Sequence, residues 1–426
     1  MDVICCQQRP TLSPLGMPTA APAHHHMVHT RRARDRAVQA NLGEDSPVTD
    51  EAAASEETTP HVAAVGAAAA RTPMTIADFA VSRDNNFNLI RFRAASAVLV
   101  SHSYALSTGD PKTEPLRAWL GFSAGDIAVD VFFLTSGFLV AGSLFSRRSV
   151  FSFALARALR IYPAMLVSVA LTVLIVGMWF SSSAATSFIT NSDTWRYIWK
   201  NATLVFGIAY KLPGAFEHAP SGVAVNGSLW SLPYELTMYG VLAAAWLGLA
   251  TLRLQPEKRF SGVVTCIFLT AVSVELLGLT VPRISALAWH LTAMFFAGSS
   301  LYAFRRRVPL DARLFAVLLL ALAASSMSKG AFAVVYLFSL PYLVIYLAYV
   351  PGGVLRRFNR LGDYSYGIYI YAFPVQQMLA ASAPGIRPLQ MLAASFPITL
   401  LLAIASWHSV EKRALALKKL DRATRH

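Results

Sequence analysis

Apolar runs long enough to cross a membrane recur in this chain from about residue 87 to residue 407. Roughly 20 apolar residues carry a helix across a bilayer, and the stretch has room for about ten such helices. Hydrocarbon offers no partners for backbone N–H and C=O groups, so each segment must pair them internally; an all-α bundle follows. Composition agrees: 55% of the 426 residues are hydrophobic and only 14% are charged, whereas ordinary soluble domains carry roughly 25% charged residues. Mean hydropathy is +0.47. A soluble globular domain and a disordered chain are both excluded.

Spans are expected near 87–106, 126–146, 162–180, 229–250, 260–280, 284–303, 313–327, 331–350, 362–381 and 389–408, the seventh being the shortest. The loops 147–160, 251–260, 304–313 and 351–360 hold 14 Lys and Arg in 44 residues, while the alternate loops hold 8 in 80. The dense set marks the cytoplasmic side and places both termini there. That position, between apolar runs, turns the excess of 37 Lys+Arg over 23 Asp+Glu into an orientation signal rather than a nucleic-acid footprint. The long outer loop 181–228 carries Trp195, Tyr197 and Trp199, spaced as on an interfacial helix.

Residues 1–82 are rich in Ala, Pro, Thr and Ser without sustained apolar periodicity, and are expected to be a disordered tail. No secretory signal peptide is expected there. The run His24–His26 is read as inconsequential rather than metal-binding, and no metal site is expected. The transmembrane domain is placed at 83–410, with a basic cytoplasmic tail at 411–426. Cys5, Cys6 and Cys266 offer neither a disulfide framework nor metal-ligand spacing, and Cys266 is assigned to packing.

Ionisable residues inside spans are costly and mark function by default. Arg91 and His102 in the first span are eleven apart, about three full turns, so they share a face and lie roughly 16 Å apart along the axis. Arg93 reads as a snorkelling arginine. In the second span Asp130 lies about one turn below the outer surface. It is either functional or a helix-start carboxylate. Ser136-Gly137 admits close approach of another backbone or a ligand. Arg157 and Arg160, three apart, form an anion clamp at the cytoplasmic mouth or a positive-inside stop signal. In the fourth span Glu235 is expected about two turns below the outer surface, where Pro233 frees a carbonyl. His102, Asp130 and Glu235 are thus expected at similar depth in the outer half. Nothing links His290 to them.

Five stretches in this order resemble the acyltransferase-3 family of integral membrane acyltransferases, over about residues 85 to 415. They are Arg91 with ten residues before His102, VDVFFLTSGFLV at 129–140, RALRIYP at 157–163, SLWSLPYELTMY at 228–239, and LGDYSYGIYIYAFPV at 361–375, closed by SWHSVEK at 406–412. One departure stands out: Ala372 occupies a position where relatives usually carry histidine. The resemblance implies transfer of an acyl group, usually acetyl, from acetyl-CoA or another acyl-CoA used as co-substrate, with no permanently bound cofactor. The implied acceptor is a carbohydrate hydroxyl of an exopolysaccharide, lipopolysaccharide or related glycolipid. It also ties Arg91 and His102 to activity, and places the protein in the cell inner membrane beside lipid and, as possible partners, polysaccharide-assembly proteins.

In the mechanism expected on these grounds, Arg157, Arg160 and Arg91 hold the donor's phosphates and its neutral arm threads toward His102. His102 acts as general base, or is itself acylated, with Asp130 or Glu235 orienting the imidazole. Trp230, Tyr234 and Tyr104 stack on sugar rings or form an aromatic belt. The main alternative is a proton-coupled transporter using the intramembrane charges; no internal repeat supports it. A glycosyltransferase is disfavoured because loop 181–228 offers only Asp193, Glu217 and His218.

Overall fold

The computed structural model describes residues 74–80, 84–147 and 149–423, and among these every regular element is helical. The expected disordered tail up to residue 73, with Cys5, Cys6 and His24–His26, lies outside the described residues. Residues 74–80, at the end of that expected tail, pair with the chain near residue 308. There α1 (Ile76–Ala80) buries Ile76, and the Ile76 and Ala77 N–H groups donate to the carbonyls of Val308 and Arg305 at 3.0 and 2.9 Å.

The remaining helices are α2 (Phe87–Thr108), α3 (Arg117–Leu120), α4 (Ala124–Arg147), α5 (Val150–Trp179), α6 (Ala185–Thr190), α7 (Ser192–Thr203), α8 (Leu232–Thr251), α9 (Pro256–Leu276), α10 (Ala286–Ala303), α11 (Ala312–Ser325), α12 (Lys329–Tyr349), α13 (Val354–Arg357), α14 (Ser365–Ser382), α15 (Pro388–Ser406) and α16 (Lys412–Ala423). Each of the ten segments read as a span contains one helix: α2, α4, α5, α8, α9, α10, α11, α12, α14 and α15. Five segments among the described residues are long and apolar enough to cross a membrane: Ala124–Ser146, Val150–Trp179, Lys258–Leu276, Lys329–Tyr349 and Pro388–Lys418. At 14 residues α11 is shorter than a bilayer-spanning helix. Helix α5 begins twelve residues before the expected span, so Arg157 and Arg160 sit on the helix itself.

Helix α4 is the buried axis of the bundle, and glycine explains how closely it is approached. A Cβ on Gly137 would lie 1.9 Å from the Phe295 carbonyl oxygen, and one on Gly298 would lie 2.1 Å from that of Leu134. The backbones of α4 and α10 therefore touch, as the Ser136-Gly137 pair suggests.

Helices α2 and α14 run parallel. Arg91 meets Asp363 just before α14, His102 meets Phe373, and the Gln376 amide donates to Leu99 O and Ser103 Oγ. The near-constant offset holds the Arg91 end of α2 beside the start of α14.

Residues 221–231 run down alongside α14 before α8 begins. Ser221 donates to Gln377 Oε1 at 2.9 Å, the Asn226 amide to Ile370 O at 2.9 Å, and Ser231 Oγ lies 2.6 Å from the Tyr369 hydroxyl. Helix α8 thus starts well inside the bundle. Pro233 falls in its first turn, where no intrahelical bond is lost, so the expected freed carbonyl does not arise. Cys266 is exposed on α9, not packed as expected. Tyr197 of α7 is buried while Trp195 and Trp199 are exposed.

Candidate active site

The charged residues fall into three groups along the bundle. At the basic end, where the Lys- and Arg-rich loops lie, Asp363 joins two arginines. Its Oδ2 accepts from Arg91 at 3.1 Å and from Arg160 at 2.6 Å, while its Oδ1 accepts from Ser365 at 2.5 Å. Arg160 also donates to Glu411 at 2.9 Å. Glu411 sits in a π-helical turn, Trp407–Glu411, that aims its side chain inward. Arg157, one turn away, takes a different course. Its guanidinium lies over the Tyr239 ring at 5.9 Å, and its buried Nε has no hydrogen-bond partner. The two arginines are therefore not an equivalent clamp: Arg160 is neutralised twice, and Arg157 makes no ion pair among the described residues.

Beside them Glu235 accepts from Ser136 Oγ at 2.8 Å and from the Tyr239 hydroxyl. Arg91, Ser136, Ser231, Glu235, Tyr366 and Tyr369 line one cavity of about 40 Å³, room for roughly three waters. This corrects the expected depth of Glu235. Because the chain enters α8 from within the bundle, Glu235 lies with Arg91 and not with His102.

His102 lies about three turns further along α2. It is 2% exposed, with its ring edge-on to Phe373 at 5.2 Å. Neither ring nitrogen makes a hydrogen bond among the described residues, and Nδ1 is fully buried. One further buried acceptor nearby lacks a partner, Gln376 Oε1; Ser101, next to His102, faces the Glu114 carboxylate instead. Buried polar atoms are paired in the great majority of cases, so two orphans, on His102 and on the Gln376 side chain of the facing helix, mark a place suited to a ligand.

The carboxylate whose charge acts on His102 is Asp126. It caps α4 reciprocally with Ser123 and pairs with Arg117 at 3.1 Å. Arg117 also holds Glu114 at 2.6 Å. Glu114, in the loop after α2, is 3% exposed. Burial pushes its carboxyl up from 4.5 to about 7, against the pull of Arg117. Its carboxylate faces Ser101, next to His102.

Asp130 does not support His102. It is fully buried, with Oδ2 lying 3.1 Å from His290 Nε2 and accepting from the Tyr336 hydroxyl at 2.9 Å. His290 Nδ1 in turn lies 2.7 Å from Glu275. His290 is therefore linked after all, to Asp130 across α4, α9 and α10. Asp126 and Asp130 share a face of α4, one turn apart, and only the first is turned to His102.

Trp230 is 8% exposed in a short turn at Gly227–Ser231, with Tyr234 edge-on at 6.0 Å. Its ring is enclosed rather than offered to a sugar. Ala372 packs among Ala95, Leu99 and Ala403, so the position where the resemblance leads one to expect histidine is apolar here.

Asp363, Glu411, Glu114, Arg117, Asp126 and Gln376 were not assigned roles from the sequence. The signal for the first two was present: each is an acid inside a family stretch at the end where basic residues dominate. Glu114, Arg117 and Asp126 had a weaker signal, the capping-box spacing of Ser123 and Asp126.

The acyltransferase domain family matches residues 84–408. An O-acetyl transferase of Shigella phage Sf6 is 33% identical over 347 residues, covering 78% of this chain and 96% of the relative. Nodulation protein 10 of Rhizobium leguminosarum bv. viciae is 32% identical over 163 residues, 36% of this chain and 42% of the relative. No solved structure matches. The transporter alternative gives way to an enzyme, and the chain belongs to the acyltransferase-3 family of integral membrane acyltransferases.

Proposed function

We propose that this acyltransferase is an O-acetyltransferase, moving an acetyl group from cytoplasmic acetyl-CoA to a hydroxyl of a cell-surface or exported glycan. The phage relative's name supports O-acetyl transfer. The reading places ten spans in the inner membrane with both termini in the cytoplasm. Its acceptors are carbohydrates or glycolipids, and its neighbours are polysaccharide-assembly proteins. The observation that carries it is His102: a buried imidazole without a hydrogen bond among the described residues, near the unpartnered Gln376 Oε1 and on the same helix as Arg91.

Arg157 binds donor phosphate first, since no carboxylate holds it. Arg160 and Arg91 follow as the anion displaces Asp363. The uncharged arm passes between α2 and α14 toward His102, because it needs no charge compensation in an apolar interior. His102 takes the acceptor hydroxyl's proton as the oxygen attacks the thioester carbonyl. The C–S bond breaks, and the thiolate leaves toward the cytoplasm and takes up a proton there. Asp126 steadies the imidazole as it takes the proton, and Gln376 and Ser101 orient the acceptor. General base catalysis of this kind contributes roughly 100- to 10,000-fold.

The test feeds membranes acetyl-labelled coenzyme A and measures label in glycan by mass analysis. His102→Ala should lower incorporation at least about 100-fold at unchanged protein level. Normal incorporation by that variant would remove His102 from the reaction. No incorporation from acetyl-labelled coenzyme A by the unaltered protein, while the glycan still becomes acetylated, would remove acetyl-CoA as the donor.

A further inference from the structure

Away from both arginine and histidine sites, α9, α10 and α12 enclose a groove of about 460 Å³. Its walls are Phe268 of α9, Ala297 of α10 and Phe304 just after it, and Leu337, Pro341 and Tyr342 of α12. An apolar cleft of this volume matches the size of ordinary ligand sites. One charged side chain borders it, Arg307, in the turn that follows α10.

That turn carries Arg305, Arg306 and Arg307, which differ in what they do. Arg305 is engaged: it stacks on Tyr302 at 4.3 Å and donates to the Tyr302 carbonyl at 3.0 Å. Arg306 and Arg307 are exposed and make no ion pair among the described residues. Arg307 lies over the Phe304 ring at 5.8 Å, on the wall of the groove. Two acids lie near this turn, Asp311 in sequence and Asp78 in space, and both are committed. Asp311 caps α11 by accepting from the N–H groups of Arg313 and Leu314. Asp78 accepts from the N–H and hydroxyl of Thr75. The groove's end is also held in place: the Tyr342 hydroxyl donates to Pro309 O at 3.0 Å and accepts from Asp311 N–H at 2.9 Å.

We propose that this groove binds one anionic glycerophospholipid, with an acyl chain between α9, α10 and α12 and its phosphate on Arg306 and Arg307. Charge complementarity selects the occupant. The groove's apolar walls suit a hydrocarbon tail, and Arg307 at its border, with exposed Arg306 beside it in the turn, suits a phosphate that carries net negative charge. Basic pockets between membrane helices hold anionic headgroups in this manner. A zwitterionic lipid would bring its own cation to the same place and lose the advantage. The site is separate from the catalytic residues, so it serves to anchor the α9–α12 half of the bundle in an anionic leaflet.

The experiment uses the full chain in phosphatidylcholine nanodiscs. Dioleoyl-phosphatidylglycerol is titrated against further phosphatidylcholine, with binding followed by thermal stabilisation and native mass spectrometry. Phosphatidylglycerol should stabilise selectively, and Arg306→Gln with Arg307→Gln should weaken its binding about thirtyfold. A phospholipid with a photoreactive acyl tail should label peptides of α10 and α12 in the unaltered chain, a readout that does not depend on how the variant folds. Ser300→Leu, which narrows the groove and leaves both arginines in place, should suppress that labelling. Equal stabilisation by the two lipids, full preference in the double variant, or labelling elsewhere only would each overturn the assignment.

Discussion

Arg157 and Arg160 look equivalent in the chain and should fail in opposite ways. Arg160 is 13% exposed and sits between carboxylates that are 12% and 2% exposed. Arg160→Ala leaves Glu411 and half of Asp363 buried without a counter-charge, which costs about 3–5 kcal/mol. At roughly 2–4 °C per kcal/mol that is a fall in Tm of about 10 °C. Arg157→Ala strands no acid, because Arg157 faces an aromatic ring and has an unpartnered Nε. Its loss should cost stability about 1 kcal/mol or less. If Arg157 binds donor phosphate, it should raise KM for acetyl-CoA by roughly 10- to 150-fold, the value of one charge-assisted hydrogen bond. Intrinsic-fluorescence melting of the purified protein reads the first quantity, and donor-dependent labelling of glycan in membranes reads the second. Adding Glu411→Gln to Arg160→Ala should restore part of the lost Tm, since it removes a stranded charge. Equal Tm losses in the two single variants, or an Arg160→Ala protein that melts normally, would refute the division of labour.

Two other perturbations follow from packing and from the loop between α2 and α4. Gly137→Ala forces a methyl into the Phe295 backbone and should cost about 3 kcal/mol or more; normal accumulation and melting would show that α4 and α10 do not touch there. The folded state holds the Glu114 proton up to about 7 instead of 4.5, so it binds more protons than the unfolded state between those values. Stability from this group is full below about 4.5 and is lost as pH rises through 7. Tm should therefore fall from pH 5 to pH 8, and Glu114→Gln should flatten that slope; an unchanged slope would mean the carboxyl is not buried as described.

The helices were legible and the pairings between them were not. Span length and charge bias act along one segment, so all ten expected segments contain helices. The spacing of Arg91 and His102 likewise survives, because both meet α14 or the residues leading into it. Depth and rotation are different matters. Glu235 was misplaced because depth was counted from the outer surface, whereas residues 221–231 carry the chain inward before α8 starts. Asp130 and Asp126 differ by one turn on α4. Which of them comes beside His102 is set by the register of α4 against α2, and single-chain periodicity does not encode that. Cys266 shows the same limit: an apolar run tells that a residue avoids water, not whether it faces protein or lipid.

The resting arrangement of the arginine end carries a consequence for the order of events in the proposed reaction. Three arginines converge there, yet Asp363 and Glu411 already hold two of them. An incoming phosphate must compete with carboxylates that are in place, so only Arg157 offers an initial foothold. Displacement of Asp363 then acts on α14 directly, because Asp363 lies two residues before that helix begins. The far part of α14 carries Phe373 and Gln376, the residues packed against His102 and its neighbours. The cavity beside Arg91, at about 40 Å³, is too small for the donor's arm as it stands. Opening it and freeing α14 are therefore one event on this reading. In the proposed reaction, donor binding at the basic end is thus the step that admits the thioester to the histidine.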